Sequence, residues 1–210
     1  GNKEGEASVL GNIGIVYRDI FKTDEALKHL EESLDKYTVL NNKLGQSDIL
    51  TQLWRLNYEI NYFDKAIEYL LKLMVITEEL GLTEKLSSIM GNIGNLYCVS
   101  NDFDKAVVYY EQALDICKII GNQRKVASYL SRIGLAYLYN SLYLEALEYF
   151  SNSLKIYERS DNLHGEATQY GNMGIAYKKM GELDNALVYF KLALEIFTRR
   201  TSLKHVKMMS

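Results

Sequence analysis

The chain has 210 residues, 48% hydrophobic and 24% charged, with no proline and a formal net charge of −3. That apolar content supplies a core, while a slightly acidic chain lacks the basic footprint of a general nucleic-acid binder. No apolar run reaches the roughly 20 residues of a membrane span and no signal peptide opens the chain, so a cytoplasmic location is expected.

Taken in chain order, the first predicted helix covers residues 5–20 and carries Leu10, Ile13, Gly14 and Tyr17 on one face, to within about two residues. The second covers residues 24–40 and carries Ala26, Leu30 and Ser33. The pattern then restarts at a spacing of 40: Ala26, Ala66, Ala106, Ala146 and Ala186 recur without slippage. Position 14 reads Gly14, Trp54, Gly94, Gly134, Gly174, and position 17 reads Tyr17, Asn57, Tyr97, Tyr137, Tyr177. Position 30 reads Leu30, Leu70, Tyr110, Phe150, Phe190.

The second unit departs from its neighbours, with Trp54 for glycine, Asn57 for tyrosine and Leu73 at a small site. Two readings are open there: a repacked core in which Trp54 fills the space of the missing tyrosine, or a local widening that shapes a groove. In the third unit Leu86, Met90, Ile93, Gly94 and Tyr97 form one helical stripe, and Ala106, Tyr110, Ala113, Leu114 and Cys117 another. Ser100–Asp104 separates them with turn and cap formers, and Gly121-Asn122 ends the second helix as left-handed residues. The fourth and fifth units repeat this, with Gly181–Asp184 as the last turn. Ser202–Ser210 reads as the start of another helix, and with Gly1 in the place of Met the chain reads as a segment of a longer protein.

A fixed period of this size marks a solenoid, in which each unit buries its apolar face only against its neighbours. The alternation of small and aromatic residues at positions 10, 13, 14, 17, 26, 30 and 33 resembles the tetratricopeptide repeat. Gly11-Asn12-Ile13-Gly14, Gly91-Asn92-Ile93-Gly94 and Gly171-Asn172-Met173-Gly174 resemble its 40-residue subclass, found in spindle-orientation adaptors, kinesin light chains and bacterial signalling proteins. The unit exceeds the family's usual 34 or so residues, and the family's late proline is missing. HEAT and armadillo repeats share the period without the Gly/Ala/Tyr pattern. The resemblance implies an all-α, right-handed α-solenoid of five antiparallel helix hairpins plus a partial C-terminal helix. It forms one domain over residues 1–210, with repeats at about 1–40, 41–80, 81–120, 121–160 and 161–200 and a partial capping segment at 201–210.

In that family the first helix of each hairpin lines the concave surface, and matching positions contact peptide ligands. Position 12 here reads Asn12, Gln52, Asn92, Arg132, Asn172, all of them hydrogen-bond donors and all but Arg132 also acceptors. Such a ladder can pair with the main chain of an extended peptide, or can instead hold neighbouring repeats in register. Small residues at positions 8 and 11, among them Ser8, Gly11, Thr51, Gly91 and Gly171, are expected to floor the groove. Further groove candidates are Arg18, Asp19, Asp48, Arg55, Tyr58, Glu59, Asn95, Tyr139, Lys178 and Lys179. The acidic ones (Asp19, Asp48, Glu59) fall in the first two repeats, and the basic ones of the last two (Arg132, Lys178, Lys179) have no acidic counterparts at groove positions, which suggests a ligand of acidic character toward the C-terminal half. The complete lysine/asparagine/arginine carboxylate clamp of the Hsp90-binding type is not present.

Position 29 (His29, Tyr69, Tyr109, Tyr149, Tyr189) lies on the second helix and is expected to pack between repeats. The histidines make no metal-ligand spacing and no nucleophile–base pair, and Cys98 and Cys117 make no disulfide framework. The expectation is a non-enzymatic scaffold without cofactor or metal, binding an extended or helical peptide of a protein partner and neither nucleic acid nor membrane. Two other readings stay open: a peptide-sensing segment of a bacterial signalling protein, and a module that self-associates through its terminal repeats.

Overall fold

The computed structural model describes residues 2–208, with side chains described as far as Thr198. Among them are ten α-helices and no strand: α1 (Lys3–Asp19), α2 (Thr23–Val39), α3 (Lys43–Glu59), α4 (Phe63–Glu79), α5 (Thr83–Val99), α6 (Phe103–Ile119), α7 (Gln123–Tyr139), α8 (Tyr143–Arg159), α9 (Leu163–Met180) and α10 (Leu183–Met208). Odd-numbered helices are the A helices of the five expected hairpins and even-numbered ones the B helices. α10 runs unbroken to Met208, so the tail prolongs the last B helix. The contacts sought from Leu203 and Val206 lie outside the described residues.

The links explain the spacing. Every link between residues 20 and 182 centres on one residue with positive φ, at 21, 41, 61, 81, 101, 121, 141, 161 and 181. Its N–H and that of the next residue close the preceding helix, as in Asn41 N–H to Thr38 O (3.0 Å) and Asn42 N–H to Tyr37 O (3.0 Å). Gly81, Gly121 and Gly181 adopt this conformation without penalty, and Asn41, Asn61, Asn101 and Asp161 tolerate it. The residue that follows occupies the N-cap position of the next helix, and where it is asparagine or aspartate its side chain caps that helix; Lys22, Tyr62 and Leu142 make no such bond. Asn2, Asn42, Asn122 and Asn162 accept from the N–H of Gly5, Gly45, Lys125 and Gly165 at 2.9–3.1 Å. Asn122 is therefore not a second left-handed residue as expected but the cap of α7. The backbone repeats every 20 residues; only the side chains repeat every 40.

Phe21 breaks the rule of its slot. It sits at φ 60° with its ring 92% exposed, so it carries the left-handed penalty and gains no packing. Phe21→Asn is expected to raise the urea midpoint by the equivalent of about 1 kcal/mol with the slope unchanged. An unmoved midpoint would show that the link relaxes around the ring.

The chain divides into two compact units, Gly1–Leu96 and Tyr97–Ser210. In the first, α1 packs on α2, α2 on α3 and α3 on α4, and the A helices α1 and α3 touch. In the second, α6 to α10 pack in succession, and α7 touches α9.

Within each unit the same contacts recur. A Cβ added at Gly14 would lie 2.7 Å from Leu30 Cγ, at Gly134 2.6 Å from the Phe150 ring and at Gly174 2.7 Å from the Phe190 ring. Position 14 thus lets position 30 press on the A-helix backbone. Position 7, small throughout, is a second such seat: Ala7, Ser47, Ser87, Ala127 and Ala167 are all buried. Ser33 Oγ donates to Ala7 O (2.7 Å), and Ser153 Oγ donates to Ala127 O (2.8 Å).

Rings at positions 17 and 29 stack within hairpins: Tyr17 on His29 (centroids 5.3 Å), Tyr97 on Tyr109 (5.6 Å), Tyr137 beside Tyr149 (5.4 Å) and Tyr177 on Tyr189 (5.1 Å). From the same positions Tyr69 Oη donates to Glu31 Oε1 (2.8 Å) and Tyr149 Oη to Glu111 Oε1 (3.3 Å), tying successive B helices. Burial and the Glu111 carboxylate push the Tyr149 phenol up to about 12. The position-29 rings thus pack within their own hairpins, and the link between repeats that was expected of them is made by the Tyr69 and Tyr149 hydroxyls.

Candidate functional site

In the first unit the A face holds two clefts on either side of α3. One, of 410 Å³, runs between α1 and α3 and is lined by Ser8, Asn12, Ile15, Asp48, Thr51 and Gln52, with Lys85 at its border. The other, of 260 Å³, runs between α3 and α5 and is lined by Trp54, Arg55, Tyr58, Glu59, Asn92, Asn95 and Leu96. Eight predicted groove residues thus meet in two neighbouring clefts: Asn12, Asp48 and Gln52 in the first, Arg55, Tyr58, Glu59, Asn92 and Asn95 in the second.

The first cleft is held by hydrogen bonds between helices. Arg18 Nη1 donates to Gln52 Oε1 (2.6 Å) while Arg18 Nη2 pairs with Asp19 Oδ1 (2.8 Å). One rung of the position-12 ladder therefore does keep register between hairpins. Lys85 Nζ donates to Ser47 Oγ (2.7 Å), which fixes the lysine at the cleft border opposite the Asp48 carboxylate's helix. Lys85 was not anticipated; its only sequence signal is a lysine where Gly45 and Gly165 stand in sister repeats.

Trp54 is half-buried and walls the second cleft, with the Arg55 guanidinium 5.8 Å from its ring. The place of the missing tyrosine is taken otherwise: Asn57 is buried and its Nδ2 donates to Leu53 O (2.8 Å). Leu73 fills the normally small site, fully buried. The second hairpin is repacked, and its indole also shapes the A face.

Position 11 serves two ends: Gly11 and Thr51 line the first cleft, while Gly11 is buried and a Cβ there would lie 2.6 Å from Ile49 Cδ1 and 3.2 Å from Ser33 Oγ. The missing side chain also admits the next A helix. Ser8, one turn earlier, remains exposed on the cleft.

In the second unit Arg132 and Asn172 stand at equivalent places on α7 and α9. Arg132 lies by the Tyr110 hydroxyl, whose pKa burial raises and the arginine lowers; Cys98 Sγ is 3.6 Å from the same hydroxyl. Burial likewise pushes the Cys98 thiol up. Asn172 is half-buried, and its Nδ2 is enclosed without a hydrogen-bond partner. One turn earlier Gln169, 1% exposed, leaves its Oε1 in the same condition.

Tyr139 is not with them: its ring stacks on Phe103 (centroids 6.0 Å) beside the Asn140 Nδ2 to Asp104 Oδ1 bond (3.1 Å), at the hairpin-turn edge. Lys178 and Lys179 are exposed in the last turn of α9, where they complement the helix dipole. Among the described residues no three His, Cys, Asp or Glu side chains converge as a metal site, and no helix is long and apolar enough to cross a membrane.

Tetratricopeptide repeat models match residues 7–43, 86–120 and 125–199. Among solved structures, BtubC from P. vanneervenii superposes with a TM-score of 0.74 at 20% identity, over 95% of this chain and 82% of that one. A putative kinesin light chain of nearly identical TPR-like repeats from Podosopora anserina gives 0.75 at 15% identity, over 95% and 99%. Aspartyl phosphate phosphatase F from Bacillus subtilis gives 0.76 at 14% identity; this chain aligns over 95% of its own length and 54% of that protein. At these identities the likeness concerns the fold. No curated protein matches the sequence significantly.

Proposed function

We propose that this chain, which belongs to the tetratricopeptide repeat family, is a protein-interaction scaffold that takes an extended or helical peptide segment of a partner on its A-helix faces. The observation that carries this reading is the convergence of eight polar and aromatic A-helix side chains on two clefts flanking α3. Carboxamides from Asn12, Gln52, Asn92 and Asn95 can pair with a peptide main chain whatever its sequence, and Trp54 and Tyr58 offer surface to an apolar side chain. On the second unit, Asn172 stands half-buried at the same repeat position of α9 as Asn92 on α5, so its carboxamide can serve the same pairing. Arg132, Lys178 and Lys179 give that unit's A helices positive charge, suited to acidic residues in the ligand.

A peptide selected from a displayed random library against the intact chain supplies the probe. Asn92→Ala and Asn172→Ala are each expected to weaken it by about 1–3 kcal/mol in titration calorimetry, with helicity unchanged. Wild-type affinity in the double variant would refute the assignment.

A further inference from the structure

The two clefts beside α3 are built differently. Between α1 and α3 the position-12 carboxamide is already engaged, because Arg18 Nη1 donates to Gln52 Oε1 (2.6 Å). The equivalent pair between α3 and α5 is Tyr58 and Asn92, and both line the second cleft. No hydrogen bond joins them, and the Asn92 carboxamide has no partner among the described residues.

The α3 wall of this cleft also carries charges that do not neutralise one another. On α4, opposite charges four residues apart pair: Glu68 Oε1 accepts from Lys72 Nζ (2.8 Å). Arg55 and Glu59 have that spacing on α3, in the less favourable order for a helix, and neither forms an ion pair among the described residues. The Arg55 guanidinium lies 5.8 Å from the Trp54 ring instead. The first repeat has Gly14 and Ile15 at these two positions, so the indole and the cation are particular to the second.

One helical turn separates Arg55 from Glu59, about 6 Å along the axis. Two residues of extended chain cover about 7 Å, and side chains two residues apart share a face. The wall therefore matches one acidic and one basic side chain separated by a single residue.

We infer that the α3–α5 cleft selects an extended segment with an acidic and a basic residue two positions apart. The acidic one meets Arg55, the basic one meets Glu59, and the main chain passes between the Trp54 indole and the Asn92 carboxamide. This rests on the peptide-scaffold reading and adds the charge pair that the partner carries.

Peptides enriched from a displayed random library on the intact chain are the probes. Trp54 is the one tryptophan of the sequence, so its fluorescence reports on this cleft. The expected result is enrichment of opposite charges two residues apart, with a shift of Trp54 emission that saturates together with the calorimetric isotherm. Arg55→Gln weakens binding about two- to fivefold at low salt, and has no effect on a peptide whose acidic residue is replaced by glutamine. Glu59→Gln behaves the same way toward the basic residue. Both side chains are exposed, so the variants keep their fold, which circular dichroism checks. Enriched peptides without the charge pair, an unmoved Trp54 spectrum, or glutamine variants indifferent to the peptide's charges would each overturn the inference. The scaffold reading survives those outcomes if Asn92→Ala still weakens binding. Failure to enrich any peptide would overturn both.

Discussion

Phe150→Ala is expected to lower the stability of the second unit by about 3–5 kcal/mol. The ring is 0% exposed and sits among Leu138, Ala146, Met173 and Ala176. Its seat is the bare backbone of α7 at Gly134, so no side chain on that wall can move in to fill the void. Relaxation would need α7 and α8 to approach, and the Ser153 to Ala127 bond holds their spacing. Phe190→Ala is the internal comparison. It removes the same ring from an equivalent seat at Gly174, but on a helix face that water already reaches, and about 1–2 kcal/mol is expected. Urea denaturation followed by far-UV dichroism gives both values. Equal losses would mean that the shared glycine seat, and not the deeper burial of Phe150, sets the cost.

That seat was legible in the sequence because both halves recur at one spacing: Gly14, Gly134 and Gly174 oppose Leu30, Phe150 and Phe190. The tyrosine row at position 29 was legible for the same reason. Other features were hidden where one residue type serves two purposes. Gly11 reads like Ser8, and both line the first cleft, yet Gly11 also admits Ile49 while Ser8 meets only solvent. The difference lies in a residue 38 positions away on another helix. The 20-residue backbone period was masked because Phe21 and Ser141 occupy slots that glycine or asparagine fill elsewhere. Tyr139 carries the side-chain type of a groove residue, but its helix end sits beside Phe103, which ring chemistry captures first. Burial and backbone geometry follow from the repeat; the allocation of polar side chains between register and ligand does not.

The junctions between hairpins make the second large prediction. Tyr37 is followed eight residues on by Gly45 and Tyr157 by Gly165, whereas the smaller Thr77 and Cys117 are followed by Lys85 and Lys125. Gly165→Lys is expected to cost the second unit about 1–3 kcal/mol, because even its Cβ would lie 2.4 Å from the Tyr157 ring. The gain in helix propensity over glycine offsets less than about 1 kcal/mol of this. Tyr157→Thr alone also destabilises, by removing a half-buried ring from above a glycine that cannot fill the gap. Combined, the two changes recreate the pairing that Thr77 and Lys85 make in the first unit, so the double variant should lose less than the sum of the singles. A favourable coupling of about 1–2 kcal/mol in the double-mutant cycle is the expected outcome. Simple additivity would mean that aromatic–glycine and small–lysine pairs sit at these positions by coincidence.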